Sequence, residues 1–412
     1  MRLLPPVLLF LLATTVRADV LPGFRVETVA PLPGFVSSVV VDSHGTVYAT
    51  TTDGWIHRVQ GNQSVPVAAV PTKAGGNGGL LGMALLDDVT AVVHYTTWSG
   101  TRVLDDVISS VDLITGAEHV LKAFPCDIEF RERGVSDEHH GGNLTVAPDG
   151  SIFVGIGEYG GHVIAQRPEW NGGKIWRLDR DGNATQFARG MRNPYDLAWD
   201  PAQQRLIVAD NGPTDGDEIN VVEPGDNCGW PETYGANTPL AGFNTPVYVF
   251  PHTVAPTGVV RLAGANPILP RGLLVGAFVS RALYHFPDMA SRPVAPPAAI
   301  VEGLDEFIID VTEGADGRIY FAAAGFAGSS TIRELITPPR GDCNGDGRTD
   351  SRDIIPTLRE IDDGDGQSTY TAQDGAYAGS WGCDANADGL IDRSDLETLV
   401  RMIASRRRTV RS

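Results

Sequence analysis

The chain has neither a long apolar run nor many cysteines. Its longest apolar stretch, residues 3–12, is about half as long as a bilayer-spanning helix requires, and no later stretch is as apolar. We therefore expect no membrane span, with an uncleaved N-terminal anchor as the alternative. The four cysteines among its 412 residues allow at most two disulfides.

Basic residues are also scarce. The chain has 32 Lys and Arg against 51 Asp and Glu, which gives a formal net charge of −19. Nucleic acid phosphates would be repelled by such a protein, so we expect no nucleic acid partner. The acidity suits an exported protein, or one that holds several calcium ions. A basic tail at residues 406–412 is the local exception, and we expect it to be a solvated terminus.

The first 18 residues have the features of a secretory signal. Arg2 gives a positive start, the apolar stretch follows, and Val16-Arg17-Ala18 forms a cleavage site. We predict that residues 1–18 are removed and that the mature protein is secreted, periplasmic or at the cell surface.

Export to an oxidising compartment permits disulfides, and four cysteines leave three pairings open. Cys343 and Cys383 each adjoin the first acidic residue of a similar loop, so we favour their pairing. Cys126 with Cys228 follows only by elimination.

The composition favours an all-β fold. There are 48 Gly and 28 Pro, and the apolar runs are short, which is typical of short strands joined by tight turns. A turn followed by a short strand recurs at residues 41–48, 147–154, 200–208 and 314–321. Two of these spacings fit one and two blades of about 50 residues. We predict a six-bladed β-propeller over residues 19–337, with a β-sandwich pair as the alternative.

The composition changes to Asp, Gly and Asn after a linker at residues 338–341. Residues 342–353 and 384–395 repeat the ligand register of an EF-hand calcium loop. The first loop offers Asp342, Asn344, Asp346, the Arg348 carbonyl, Asp350 and Asp353. The second offers Asp384, Asn386, Asp388, the Leu390 carbonyl, Asp392 and Asp395. Because each loop runs into an apolar helical stretch, we predict a small α-helical domain over residues 342–405 that binds two calcium ions.

This region resembles the dockerin module, in which Asp closes the loop and the loop leads directly into its helix. The resemblance implies a cohesin-like protein partner, bound through residues just before the last ligand, here Ser351-Arg352 and Arg393-Ser394. The wide separation of the two loops and Pro356 in the first helical stretch depart from the module's pattern. The whole chain is thus predicted to be a propeller followed by a dockerin/EF-hand-like domain.

Several motifs of the first domain occur in the order of a known family. They are Gly78-Gly79-Leu80-Leu81-Gly82, His139-His140-Gly141-Gly142, Arg192-Asn193-Pro194 and Asn211-Gly212-Pro213. Together they resemble the soluble glucose/sorbosone dehydrogenases, which are quinone-dependent aldose sugar dehydrogenases, over most of residues 20–337. The resemblance implies a sugar or other small alcohol as substrate, with pyrroloquinoline quinone and calcium as cofactors.

The resemblance also implies roles for individual residues. His139 would be the base that takes the hydroxyl proton, with His140 as the adjacent alternative and Glu138 as a tuning carboxylate. Arg192 would bind the quinone oxygen. The remaining implied roles are cofactor contacts for Asn193 and Asn211, calcium-binding carbonyls for Gly212 and Pro213, and further calcium or loop contacts for Asp217 and Glu218.

The chain departs from the family at the basic residues that bind the carboxylates of the cofactor. Phe307 and Ile309 occupy two arginine positions, and the expected lysine is missing near Arg281, which is the candidate substitute. Two functions follow as hypotheses. One is a sugar dehydrogenase. The other is a non-catalytic propeller that binds carbohydrate or protein in an extracellular or cell-surface assembly.

Overall fold

The computed structural model describes residues 19–409 except 22, 127–137, 236–239, 270, 291–293, 327, 364–380 and 389. The predicted signal segment and residues 410–412 of the basic tail lie outside the described residues. No described helix is both long enough and apolar enough to cross a bilayer.

Among the described residues, twenty-five strands form six antiparallel sheets, which confirms the predicted six-bladed propeller. In chain order the strands are β1 (Asp19–Val20), β2 (Arg25–Leu32), β3 (Val36–Val41), β4 (Val47–Thr51), β5 (Trp55–Gln60), β6 (Gln63–Ala69), β7 (Leu80–Leu85), β8 (Thr90–Ser99), β9 (Arg102–Asp112), β10 (Glu118–Pro125), β11 (Leu144–Val146), β12 (Ile152–Ile156), β13 (Lys174–Leu178), β14 (Ala184–Arg189), β15 (Pro194–Asp200), β16 (Arg205–Asp210), β17 (Glu218–Val222), β18 (Tyr248–Val249), β19 (Pro256–Arg261), β20 (Leu273–Ala277), β21 (Ala282–Phe286), β22 (Ala298–Glu302), β23 (Glu306–Glu313), β24 (Ile319–Gly325) and β25 (Ser330–Ile336).

Blades 1 to 4 are the consecutive four-strand sheets from β3–β6 to β15–β18, and blade 5 is β19–β22. Blade 6 takes β23–β25 from the end of the propeller and β2 from its beginning, with Arg25 opposite Ile336. The short strand β1 adds a fifth strand to blade 5. Strands from the two ends of the domain thus close the ring, and no blade has to be completed by another chain.

The recurring turn of the sequence joins the first and second strands of a blade. Asp42 accepts hydrogen bonds from the amides of His44 and Thr46, and Gly45 has φ of 82°. Gly150 and Gly317 repeat this left-handed conformation, with φ of 83° and 80°. A glycine is favoured there because a side chain would strain the backbone. The buried strands β4, β12 and β24 follow these turns.

Buried carboxylates tie the innermost strands together around the central channel. Asp310 on β23 accepts hydrogen bonds from the Ser38 hydroxyl, the Val39 amide and the Asn143 side chain, at 2.8, 2.8 and 3.0 Å. Asp196 on β15 accepts a bond of 2.6 Å from the Val259 amide on β19. These two acids therefore link blades 1, 3, 4, 5 and 6 across the axis.

The C-terminal region contains two loops and two helices, α1 (Ile354–Asp363) and α2 (Arg393–Thr409). A disulfide joins Cys343 to Cys383, as expected. Trp381 packs against the propeller, with its ring 5.6 Å from Phe24 and 5.5 Å from His285.

The prediction of a second disulfide between Cys126 and Cys228, made by elimination, is wrong. Cys126 and Cys228 are both buried, and neither is in a disulfide. They lie in different hydrophobic clusters, one between blades 2 and 3 and the other between blades 3 and 4, so their sulfurs do not meet.

The channel carboxyls predict a pH-dependent stability. Burial and the nearby Asp310 charge raise the pKa of Asp196 well above its usual range, and burial raises the pKa of Asp310 to about 6. The folded protein therefore holds protons that the unfolded chain releases near pH ~4. Their stabilising contribution is present at low pH and is lost as the pH rises through the folded pKa values.

We expect the free energy of unfolding in urea to decrease as the pH rises above about 4 and through the raised folded pKa values, about 6 for Asp310, by up to about 1.4 kcal/mol per pH unit per proton. The buried histidines His57 and His285 have lowered pKa values and act in the opposite direction below about pH 6.5, so the test compares the unaltered protein with a variant that lacks one channel carboxyl. Asp196→Asn keeps an oxygen for the Val259 amide but cannot ionise, so its profile should be flatter. An unchanged slope in this variant would contradict the assignment.

Candidate active site

A cleft of about 580 Å³ opens where the innermost strands begin. Of the residues that the sequence predicted, His139, Arg192, Asn193, Asn211, Gly212 and Asp217 line it, and so does His140. Pro213, Glu218 and Arg281 are not among the described lining residues. The motifs that are far apart in sequence thus converge in one cavity.

His139 is held by a buried carboxylate. Its Nδ1 lies 2.9 Å from Oε1 of Glu158, which is fully buried, whereas the His139 side chain is 13% exposed. With Glu158 ionised, Nδ1 carries the proton and the lone pair of Nε2 is free to accept another. This pair has the geometry of a general base with an orienting acid.

The backbone around this pair is tightly constrained. His139 has a left-handed φ of 58°, and a Cβ on Gly157 would lie 2.1 Å from the His139 carbonyl oxygen. Only glycine permits that approach, which brings Glu158 under the imidazole. The sequence hypothesis assigned the carboxylate to Glu138 and missed Glu158. Glu158 could have been found in the sequence, because Gly155-Ile156-Gly157-Glu158 directly follows the turn and strand predicted at residues 147–154.

Asp210 positions the turn that carries Arg192. Its two oxygens accept hydrogen bonds from the amides of Arg192 and Asn193, at 3.1 and 2.7 Å. Burial and the neighbouring Glu218 carboxyl raise the pKa of Asp210 to about 8. The Asn193 side chain in turn accepts a bond of 3.1 Å from the Gly141 amide, which links this turn to the His139 loop.

The Arg192 guanidinium rests on the carbonyls of the next loop. Its Nη1 donates to the Asn211 and Gly212 oxygens, both at 2.9 Å, and its Cζ lies 5.7 Å from the Trp230 ring centre. Its Nε is buried and has no hydrogen-bond partner among the described residues. The cleft therefore contains a fixed cation with a donor still unused.

Residues 37–332 match the sequence model of a family described as Glucose / Sorbosone dehydrogenase. The chain belongs to that family. Aldose sugar dehydrogenase YliI of Escherichia coli (strain K12) is 27% identical over 313 residues, which cover 68% of this chain and 84% of the relative. Quinoprotein glucose dehydrogenase B of Acinetobacter calcoaceticus is 30% identical over 131 residues, 24% of this chain and 27% of the relative.

The solved structures support the fold. The PQQ-bound form of an aldose sugar dehydrogenase from Streptomyces coelicolor has a TM-score of 0.64 at 23% identity. The match covers 77% of this chain and all of that one. Together with the family match, it agrees with the dehydrogenase-like propeller that the motifs predicted.

The predicted calcium ligands of this glucose/sorbosone dehydrogenase propeller already have partners. The Gly212 carbonyl accepts from Arg192, and the Pro213 carbonyl accepts from the Gly216 amide at 2.8 Å. Asp217 accepts from the amides of Gly212, Val254 and Ala255. Because Arg192 supplies positive charge at the Gly212 oxygen, the geometry does not favour a calcium ion there.

Glu218 is also engaged within the protein. Its two oxygens accept from the Asn220 side chain and the Gly235 amide, at 2.8 and 2.7 Å. Asp217 and Glu218 therefore serve as loop anchors in this geometry.

The wall toward blades 5 and 6 is aromatic and apolar. Phe278 and Ile309 line the cleft, and the Phe278 ring stacks on Phe307 with centres 4.2 Å apart and planes 6° apart. Phe307 also contacts Phe326, which is 71% exposed. Arg281 lies outside the lining, with its guanidinium 5.9 Å from the Phe326 ring centre. Phe307, at one of the two positions where the resemblance implies an arginine, is thus part of an aromatic stack.

Pyrroloquinoline quinone does not fit this lining. The cofactor carries three carboxylates, and Arg192 is the one Arg or Lys among the described lining residues. Each missing charged hydrogen bond costs about 1.5 to 3 kcal/mol, so the affinity lost at two positions is large. We derive no reaction step through this cofactor.

Arginines at positions 307 and 309 should allow the protein to bind pyrroloquinoline quinone. We expect the double variant Phe307→Arg, Ile309→Arg to bind pyrroloquinoline quinone at least about 100-fold more tightly than the unaltered protein, since two charged bonds are gained. Fluorescence titration with the quinone measures this difference. Phe326→Arg, which adds a charge at an exposed ring that contacts Phe307, is the matched control. Tight binding by the unaltered protein would refute the misfit.

Proposed function

We propose that this protein is a dehydrogenase that oxidises an aldose sugar or a related small alcohol in the cleft. The observation that supports this most is the contact of 2.9 Å between His139 Nδ1 and the buried Glu158 carboxylate. A buried carboxylate that orients a partly exposed imidazole is suited to proton abstraction from a hydroxyl. The family match and the sugar dehydrogenases among its relatives support the substrate class.

His139 would act through Nε2. With Nδ1–H donated to Glu158, Nε2 accepts the hydroxyl proton as the C–H bond beside it gives up a hydride. Glu158 then stabilises the imidazolium that has formed. The sugar leaves as the two-electron oxidised lactone, or the alcohol as a carbonyl compound.

Arg192 would stabilise negative charge on the electron acceptor. Two backbone carbonyls hold its Nη1, so the guanidinium cannot rotate freely. A fixed cation of this kind stabilises charge that develops during the reaction without having to reorganise. We propose a quinone with fewer carboxylates than pyrroloquinoline quinone as the two-electron acceptor.

Kinetic variants test these roles. With a neutral benzoquinone as acceptor and aldose sugars as substrates, His139→Ala should lower kcat about 10²- to 10⁴-fold, the usual contribution of a general base. Glu158→Gln should lower kcat and alter its pH profile, since the imidazole loses its charged partner. His44→Ala, which removes an exposed histidine paired with Asp88 at 3.3 Å, is the matched control and should retain activity.

The second candidate function is a non-catalytic binding propeller, and the stacked Phe278–Phe307 wall favours it. Aromatic rings bind the apolar faces of sugars and of protein side chains. Calorimetric binding of sugar, without turnover with any quinone, would support this function over the first. It would be a carbohydrate- or protein-binding component of an extracellular assembly.

We also propose that the two C-terminal loops bind calcium. They have the same hydrogen bonds in the same register. The Asn344 amide donates to Asp353 and the Asn386 amide to Asp395, both at 3.1 Å. The amides of Asp346 and Asp388 likewise donate to the first acids of the loops, Asp342 and Asp384. Loops that share this framework direct their oxygens toward one centre.

The two loops differ in one charge. Arg352 lies 2.8 Å from Asp346 and 2.7 Å from Asp350, so the first loop has an internal cation. In the second loop, Ser394 occupies the corresponding position and bonds Asn386 at 2.6 Å. We therefore propose that the second loop binds calcium more tightly.

Removing the internal cation should strengthen the first site. Because exposed ion pairs contribute about 0.2 to 1 kcal/mol, Arg352→Ala should raise the calcium affinity of the first loop up to about 5-fold. Calorimetry on the full-length protein would resolve the two sites. Arg393→Ala, an arginine at the other loop without a described ion pair, is the control. The absence of both sites would reject calcium binding.

The last two parts of the proposal concern the export of the protein and its docking to a cohesin-like partner. We propose that residues 1–18 direct export, which the Cys343–Cys383 disulfide supports. The residues for a cohesin-like partner, Ser351-Arg352 and Arg393-Ser394, lie where the two C-terminal helical segments begin.

A further inference from the structure

Beside the cleft, four polar side chains surround the fully buried carboxylate of Asp106. They are His94, Cys126, His140 and Tyr159. We propose that Asp106, Cys126 and His140 form a binding site for a divalent transition metal ion of the zinc class. The site is separate from the calcium loops and is not needed for the proposed dehydrogenase chemistry.

The distances fit a metal site. His140 Nδ1 lies 3.2 Å from Asp106 Oδ1, and Cys126 Sγ lies 3.4 Å from Asp106 Oδ2. The three ligand atoms all lie within 4.8 Å of one another. In a tetrahedral zinc site, with bonds of about 2.0 to 2.3 Å, neighbouring ligand atoms are roughly 3.3 to 3.6 Å apart. Small shifts of these side chains would therefore bring all three onto one ion.

The donor set selects the class of metal. Thiolate and imidazole ligands favour zinc, cobalt or copper over calcium and magnesium, which prefer oxygen. A Cys126 thiolate and the Asp106 carboxylate carry two negative charges, and His140 is neutral. A divalent ion would leave this buried site without net charge, which lowers the cost of placing it away from water.

Further contacts would support the ligands. His94 Nε2 lies 3.2 Å from Asp106 Oδ1, and its Nδ1 lies 2.9 Å from the Gly142 carbonyl. Tyr159 donates to Asp106 Oδ2 at 2.8 Å. Partners of this kind orient the ligands of protein metal sites. Nδ1 of His140 would be the ligand atom in this arrangement, and its Nε2 is buried without a partner among the described residues.

The position of the proposed metal site, next to the His139–Glu158 pair, indicates a structural role for the ion. His140 follows His139 in the chain, and Tyr159 follows Glu158. Both of these neighbours contact Asp106. An ion at Asp106 would therefore fix the backbone on both sides of the His139–Glu158 pair.

Cobalt spectroscopy on the full-length protein tests the proposal. The purified protein is analysed for bound metals, treated with a chelator and reloaded with Co²⁺ in excess calcium, which occupies oxygen-only sites. A thiolate ligand gives a near-ultraviolet charge-transfer band, and tetrahedral coordination gives intense visible bands. We expect both bands at one Co²⁺ per chain.

The two cysteines outside the disulfide provide a matched pair of variants. Cys126→Ser should abolish the charge-transfer band, whereas Cys228→Ser, an equally buried thiol in another cluster, should retain it. His140→Gln should keep the band but weaken Co²⁺ binding at least about 10-fold. If Cys126→Ser does not fold, the His140→Gln and Cys228→Ser variants still decide the outcome.

Three results would overturn the proposal. A folded protein that takes up neither zinc nor cobalt would mean that the cluster is a hydrogen-bonded network only. A charge-transfer band that survives Cys126→Ser, or that disappears in Cys228→Ser, would assign the sulfur ligand elsewhere.

Discussion

The pairing of β2 with β25 is the constraint on which the rest of this structure depends. It joins residues about 300 positions apart and completes the sixth blade with a strand from the start of the domain. Once the ring is closed, the first strands of all six blades are parallel neighbours around one axis. Loops from blades 1 to 6 are then forced to meet at one end of the channel, which creates the cleft without any local sequence signal for it.

Several buried carboxyl groups have the same structural role in the propeller, because each accepts hydrogen bonds that join neighbouring strands or loops. Asp310 and Asp196 accept backbone amides between innermost strands, Asp210 holds the turn of Arg192, and Asp217 joins the Gly212 loop to residues 254–255. Each of these carboxyl groups is buried, and hydrogen-bond donors offset part of the cost of removing it from water. Burial raises the pKa values of Asp196, Asp210 and Asp310. Acids that resemble metal ligands in the sequence are loop anchors in the propeller.

One side of the cleft contains the base and the cation that the resemblance implies, whereas the other side has apolar residues where the resemblance implies arginines. His139, Glu158 and Arg192 provide an oriented base and a fixed cation, whereas Phe278 and Phe307 form a stacked apolar wall. The two rings stabilise each other, because they stack with nearly parallel planes and each covers one face of the other. A site built in this way is suited to ligands of low charge.

The amino-acid sequence by itself determined the blade repeat, the family, the paired acidic loops and the candidate base and cation of the cleft, His139 and Arg192. These follow from local rules: turn glycines such as Gly45 and Gly150, strand patterns, and ligands at fixed spacing. Only the tertiary structure decided that Glu158 and not Glu138 orients His139, that Arg192 occupies the Gly212 carbonyl, and that Cys126 and Cys228 are apart. Those facts depend on distances between loops and strands that are far apart in the sequence, and such distances are fixed only when the chain has folded.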